Sequence, residues 1–190
     1  MARKQKLQAS QVELLLDDLA GELLQRGCTS PMKILVIGGA YMLLRMGNRA
    51  STGDVDIFPL NFAATFQPDE RTRLFQKAIK AVARRHSLQQ EWLNDAAFGV
   101  VGELLPPALQ LELWKVFREI LEVYLPPADF MLAMKLFSYR DQDYADVEAL
   151  TMALQIETRE QAQRLLDRYI DRPTQEEYRT PETLDFLFED

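Results

Sequence analysis

The chain has 190 residues, 47% of them hydrophobic, which is enough to bury one good core, and a formal net charge of −7. Its longest nearly uninterrupted apolar run, Ile34 to Leu44, falls far short of the roughly 18–20 residues a membrane span needs and contains Gly38 and Gly39, so no segment is expected to cross a bilayer. The acidity is concentrated late: residues 1–50 carry seven Lys/Arg against four Asp/Glu, residues 51–140 ten against eleven, and residues 141–190 five against fourteen, a balance that argues against duplex DNA binding across a broad basic surface.

Arg3, Lys4 and Lys6 make a basic start, but Glu13, Asp17 and Asp18 follow instead of an apolar signal core, and a cytoplasmic location is expected. Ser10 and Glu13 read as a capping box opening an amphipathic helix, with Val12, Leu15, Leu16, Leu19 and Leu23 on one face and Gly27 as its end. The single cysteine, Cys28, has no partner for an internal disulfide and reads as a reduced structural residue. Lys33 to Ile37 is a β-branched apolar run expected to be a strand; it breaks at Gly38-Gly39, and a helix is expected from Ala40 to about Met46. After the polar loop Asn48 to Gly53, Asp54 to Phe58 alternates charged and apolar residues until Pro59, as a second strand would.

Asp69 to His86 is the cleanest helical pattern, with Phe75, Ile79 and Val82 on one face and Arg73, Lys77, Lys80 and Arg84 in a stripe opposite. That stripe suits phosphates but reads more simply as a solvated face. His86, the only histidine, falls at the helix end. Leu109 to Trp114 and Ile120 to Leu125, fenced by Pro106-Pro107 and Pro126-Pro127, are expected to pair as strands through a tight connection. Beyond Asp129 four helices are expected, over Phe130–Tyr139, Tyr144–Leu154, Arg159–Ile170 and Pro181–Phe188. The pattern is that of an α+β fold: a small mixed sheet flanked by helices over residues 1–128, with a C-terminal helical segment, residues 129–190, packed on it in one compact unit.

Residues two apart on a strand point to one face, so Asp54 and Asp56 are expected to present two carboxylates side by side while Val55 and Ile57 enter the core. Like charges about 4 Å apart cost on the order of 4 kcal/mol at an effective dielectric near 20, a repulsion that a divalent cation between them reverses. Mg²⁺ or Mn²⁺ is the cation such hard oxygen ligands suit, since Mg²⁺ takes one or two carboxylates and fills its shell with water and substrate phosphate. Either element alone is ordinary: an Asp-x-Asp pair is usually solvated, and a Gly-Gly turn is common. In the order strand, Gly38-Gly39, helix, Arg49-x-x-Thr52, Asp54-x-Asp56, they could hold the phosphate and metal ends of one nucleotide on adjacent strands. Lys135 lies in a segment otherwise apolar and needs a partner; Asp143 and Asp146, three apart, could each supply one, whether for a functional site or a structural ion pair.

In Val36-Ile-Gly-Gly-Ala40, Arg49-Ala-Ser-Thr-Gly-Asp-Val-Asp-Ile57, Trp92-Leu-Asn-Asp95, Leu132-Ala-Met-Lys-Leu136, Arg140 and Asp143-Tyr-Ala-Asp146-Val, the chain resembles the DNA-polymerase-beta-like nucleotidyltransferase superfamily, and within it the AbiEii-type abortive-infection toxins. The resemblance covers most of Ile34 to Leu150, and the long gap between Gly39 and Asp54 fits that branch. It implies a nucleotidyltransferase core with an NTP at Gly38 and Gly39, to which Arg49 and Thr52 belong, metal at Asp54 and Asp56, and catalytic Lys135 and Asp146, Lys135 also touching the nucleotide. The reaction implied is transfer of a nucleotidyl group to a hydroxyl of RNA, tRNA included, or of a protein, by the toxin of a toxin–antitoxin or phage-defence pair with an antitoxin as partner. Gly39 stands where most of the superfamily has a phosphate-binding serine. The third metal carboxylate has one candidate, Glu112, which also reads as a solvent-facing strand residue. The alternative from another class is a catalytically weak module of the same fold that binds nucleotide or, through its acidic C-terminal helices, a protein partner.

Overall fold

The computed structural model describes residues 6–98 and 102–188, and the chain divides into two units, residues 1–102 with 111–125, and residues 103–110 with 126–190. Among the described residues the fold is α+β, with eight helices and one five-stranded mixed sheet, and no helix is long and apolar enough to cross a membrane.

The first unit opens with helix α1, Ala9–Gln25, whose buried Val12, Leu15, Leu16, Leu19 and Leu23 form one stripe that packs on the later helix α3, Glu70–Arg85. The helix begins before the expected Ser10. Leu7 exchanges backbone hydrogen bonds with Thr52 (Leu7 N to Thr52 O, 2.7 Å; Thr52 N to Leu7 O, 2.9 Å), which fixes the entry of the chain, and Gln11 Oε1 accepts from Gln8 N at 2.9 Å. Glu13 is therefore released from capping and pairs with Lys115.

Strand β1, Met32–Ile37, is the middle of the sheet β3-β2-β1-β5-β4, in which β2 is Val55–Pro59, β3 Leu93–Asn94, β4 Glu112–Phe117 and β5 Leu121–Leu125. It runs antiparallel to β2 and parallel to β5, with neighbours on both sides and Ile34, Leu35 and Val36 fully buried, which explains its unbroken apolar sequence. Helix α2 starts directly at Gly38 and runs to Tyr41; its continuation Met42–Met46 is wound more loosely, as a π turn ending at Gly47 with φ +67° and Gly47 N bonded to Met42 O at 2.9 Å. In α3, Asp69 caps the N-terminus by accepting from Thr72 N at 2.7 Å, and Phe75, Ala78, Ile79 and Val82 are buried.

The expected strand pair is present, but its first member is shifted from Leu109–Trp114 to Glu112–Phe117. The hairpin decides this. Arg118 and Glu119 both take positive φ, 47° and 58°, Ile120 N closes the turn on Phe117 O at 3.0 Å, and the pairing Phe117↔Leu121 across this three-residue connection then sets the strand. Neither residue favours that conformation. Arg118 is held by Asp17 of α1, with contacts of 2.6–3.2 Å, over Gly21, where a Cβ would stand 2.9 Å from the guanidinium.

In the second unit α4, Ala128–Phe137, is buried on every side from Phe130 onward, and it packs against α5, Tyr144–Leu154, α6, Arg159–Leu166, and α8, Thr180–Phe188. The helix expected over Arg159–Ile170 ends at Leu166, and a short α7, Arg172–Glu177, follows under an Asp171 cap. Gln163, Gln175 and Asp167 bind one another there (Gln163 Nε2 to Gln175 Oε1, 2.7 Å; Gln175 Nε2 to Asp167 Oδ1, 3.1 Å), and Gln175 also donates to Ile170 O at 2.6 Å. These bonds satisfy the buried amides of Gln163 and Gln175 at the turn between α6 and α7.

Tyr169 packs edge-on against Phe130, and burial, aided by its hydrogen bond to Asp129, pushes its phenol up to about 12. A raised folded value means that the proton is held more tightly in the folded state, so this contribution is intact below the unfolded value of 10.0 and is lost as pH rises to about 12. Urea unfolding midpoints should fall across that window, and less steeply for Tyr169→Phe.

Candidate functional site

Pairing of β1 with β2 places Ile37 opposite Asp56, so the chain leaving β1 turns beside that carboxylate. Gly38 makes the turn at φ +64°, and a Cβ on it would lie 2.9 Å from Asp56 Oδ2. Both the backbone conformation and the space call for glycine. One residue on, a Cβ at Gly39 would meet Thr52 Oγ1 at 2.9 Å and an Arg49 guanidinium nitrogen at 3.4 Å. The structure thus gathers Gly38, Gly39, Arg49, Thr52 and Asp56, residues up to 18 positions apart, into one cradle.

Thr52 is buried, tied through its backbone to Leu7, and its hydroxyl donates to Asp54 O at 2.9 Å. Val55 and Ile57 are buried as expected, while Asp54 and Asp56 are both half-buried. Asp54 lies in the bend just before β2, so strand alternation sets the face of Asp56 alone. The donor types suit a hard cation: Asp54 and Asp56 are half-buried oxygen ligands two positions apart in the chain, the second of them packed against the Gly38 turn. Among the described residues no group of three or more His, Cys, Asp and Glu is placed to hold a metal ion.

Glu112 is not brought to this cradle. It stands on β4, with β1 and β5 between it and β2, roughly 14 Å away at ordinary strand spacing, and Arg45 holds it in two contacts of 3.0 and 3.2 Å. The neighbour of Asp56 on the other side is Asn94, which is in register with it on β3. Its amide is held locally, accepting from Ala96 N at 3.1 Å and donating to Glu91 O at 3.3 Å. A two-residue strand has no periodicity to read, so the only sequence signal was the segment Trp92-Leu-Asn-Asp95. Asp95 itself is buried and accepts from Thr65 N at 2.7 Å as well as from the Thr65 hydroxyl.

In the second unit Lys135 is buried and bridges both candidate partners, Asp143 and Asp146, the latter at 2.8 Å; Arg140 Nε adds a contact of 3.0 Å to Asp143. Two aspartates, a lysine and an arginine balance in charge, which is what permits ionised groups inside an apolar helix packing.

No family model, curated protein or solved structure matches the chain.

Gly38→Ala should cost at least about 1–2 kcal/mol through its positive φ, and more than Gly47→Ala, because Gly47 shares that φ but has open space around its Cα. Equal losses in urea titrations of the two variants would contradict the close approach of Asp56. Lys135→Met should destabilise by about 3–5 kcal/mol, since it strands two buried carboxylates; calorimetric unfolding measures it.

Proposed function

We propose that the protein is a metal-dependent nucleotidyltransferase. The observation that carries the reading is the Gly38-Gly39 turn lying against Asp56, Thr52 and Arg49, with Asp54 next to them in the chain. On this reading the glycine pair at the start of α2 and the Arg49 guanidinium would meet the triphosphate, Thr52, bonded to Asp54 O, would position the loop that carries the aspartates, and Asp54 and Asp56 would hold Mg²⁺ or Mn²⁺. When bound, the ion supplies neutralisation of phosphate charge. The acceptor hydroxyl oxygen bonds to the α-phosphorus as the bond to the outgoing diphosphate breaks; pyrophosphate leaves and the hydroxyl proton passes to water. The protein's part is positioning and electrostatics.

On the sequence resemblance the acceptor is an RNA, tRNA included, or a protein, and the biological setting is the toxin half of a toxin–antitoxin or phage-defence pair acting in the cytoplasm. One observation favours the second reading, a nucleotide-binding module with little turnover: Glu112, the candidate third carboxylate, stands on the far strand and pairs with Arg45.

Incubation with each α-labelled NTP, Mg²⁺ and cell extract should label RNA or protein with the wild type and not with Asp54→Ala or Asp56→Asn. NTP binding without any label would sink the enzyme in favour of the module.

A further inference from the structure

A cleft of about 260 Å³ opens between α3, β3 and the 60–67 loop. Its walls are Ile57, Phe62, Phe75, Ile79 and Leu93. Asn94, the register neighbour of Asp56, lines the cleft too, but none of Gly38, Gly39, Arg49, Thr52, Asp54 and Asp56 does, so the cleft is distinct from the glycine cradle. The Phe62 ring packs on Phe75 with centroids 4.9 Å apart and stays half-buried, leaving aromatic surface toward the space. Gln76, Gln90 and Asn94 bring amides to the lining and Lys80 an ammonium; of its two carboxylates, Glu91 and Asp95, the second is bound to Thr65.

Lys80 is also a member of the basic stripe. Arg73, Lys77, Lys80 and Arg84 are all exposed and have no carboxylate partner among the described residues. At a helical rise of about 1.5 Å per residue the row extends roughly 16 Å. At about 100° per residue its edge at Lys80 adjoins Gln76, so aromatic wall, amide rim and cation row follow one another around α3.

Each part narrows the ligand. An alkyl chain would have no use for the amides or the cations, and a bare anion none for the aromatic wall. Ligand cavities commonly run from about 300 Å³ upward, so this one takes a single ring system and not a larger molecule entire. Glutamine side chains both donate and accept, as the edge of a heterocyclic base requires.

We propose that the cleft and its flanking stripe form a second site, separate from the glycine cradle, for a phosphorylated nucleoside: the base stacks on Phe62 with its edge on Gln76 and Gln90, and the phosphate rests on Lys80. The ligand chemistry is the same in a free mononucleotide and in one residue of a single strand, whose further phosphates would follow the row.

The test is equilibrium binding of 5′-AMP, 5′-UMP, inorganic phosphate and a fluorescein-labelled single-stranded hexaribonucleotide to the full chain in EDTA, where no divalent ion can load the aspartates. A nucleotide or the hexamer should bind in preference to phosphate, and Lys80→Glu and Phe62→Ala should each weaken it about tenfold. Because Phe62→Ala could loosen the loop, the exposed Lys80→Glu decides. Comparable affinity for AMP and the hexamer identifies the free nucleotide as the ligand. Tighter hexamer binding that Lys77→Glu weakens identifies the strand. Phosphate binding as well as AMP, no binding of any probe, or binding indifferent to Lys80→Glu overturns the proposal.

Discussion

The antiparallel ladder between β1 and β2 is the constraint on which the candidate site depends. With Ile37 opposite Asp56, the chain must leave β1 alongside a carboxylate, and only a residue without a side chain fits there at positive φ. A slip of one residue would turn Asp56 into the core and Ile57 out of it. The buried flanks Val55 and Ile57 therefore lock the register that presents Asp56, and the Leu7–Thr52 bridge holds the intervening loop in place.

The two charged constellations are built on opposite principles. Asp54 and Asp56 are half-buried, and Asp56 packs against the Gly38 turn. Lys135, Asp143 and Asp146 are buried and bonded to one another, with Arg140 completing the balance. Within its own unit the second cluster satisfies the cost of placing an ammonium in α4, a helix apolar on all sides, and ties that helix to the segment that opens α5.

Strain in the first unit is met by specific contacts. The Arg118-Glu119 turn has none of the Gly or Asn residues that tolerate positive φ, yet Arg118 finds Asp17 and lies in the space left by Gly21. Helix α1 thus serves the sheet twice: its apolar face meets α3, and its acidic edge secures the β4–β5 hairpin, where Lys115 also meets Glu13.

Most of the α+β pattern was legible in the chain because α1, α3, β1, β2 and β5 have clear periods, and the Asp69 and Gly27 signals mark ends that the structure uses. Elements too short for a period, β3 and α7, were not legible, and the start of β4 was misread because proline fences mark a loop's limits without setting a strand's register. Among the site residues, the sequence by itself determined which types stand where: a glycine pair ending one strand, an aspartate pair opening the next, one lysine amid apolar neighbours. Only tertiary structure decided that Gly38 touches Asp56 and Gly39 touches Thr52, that Lys135 takes both aspartates, and that Glu112 goes to Arg45. Those outcomes depend on strand order and register, which are set by contacts between distant segments and leave no local pattern in the chain.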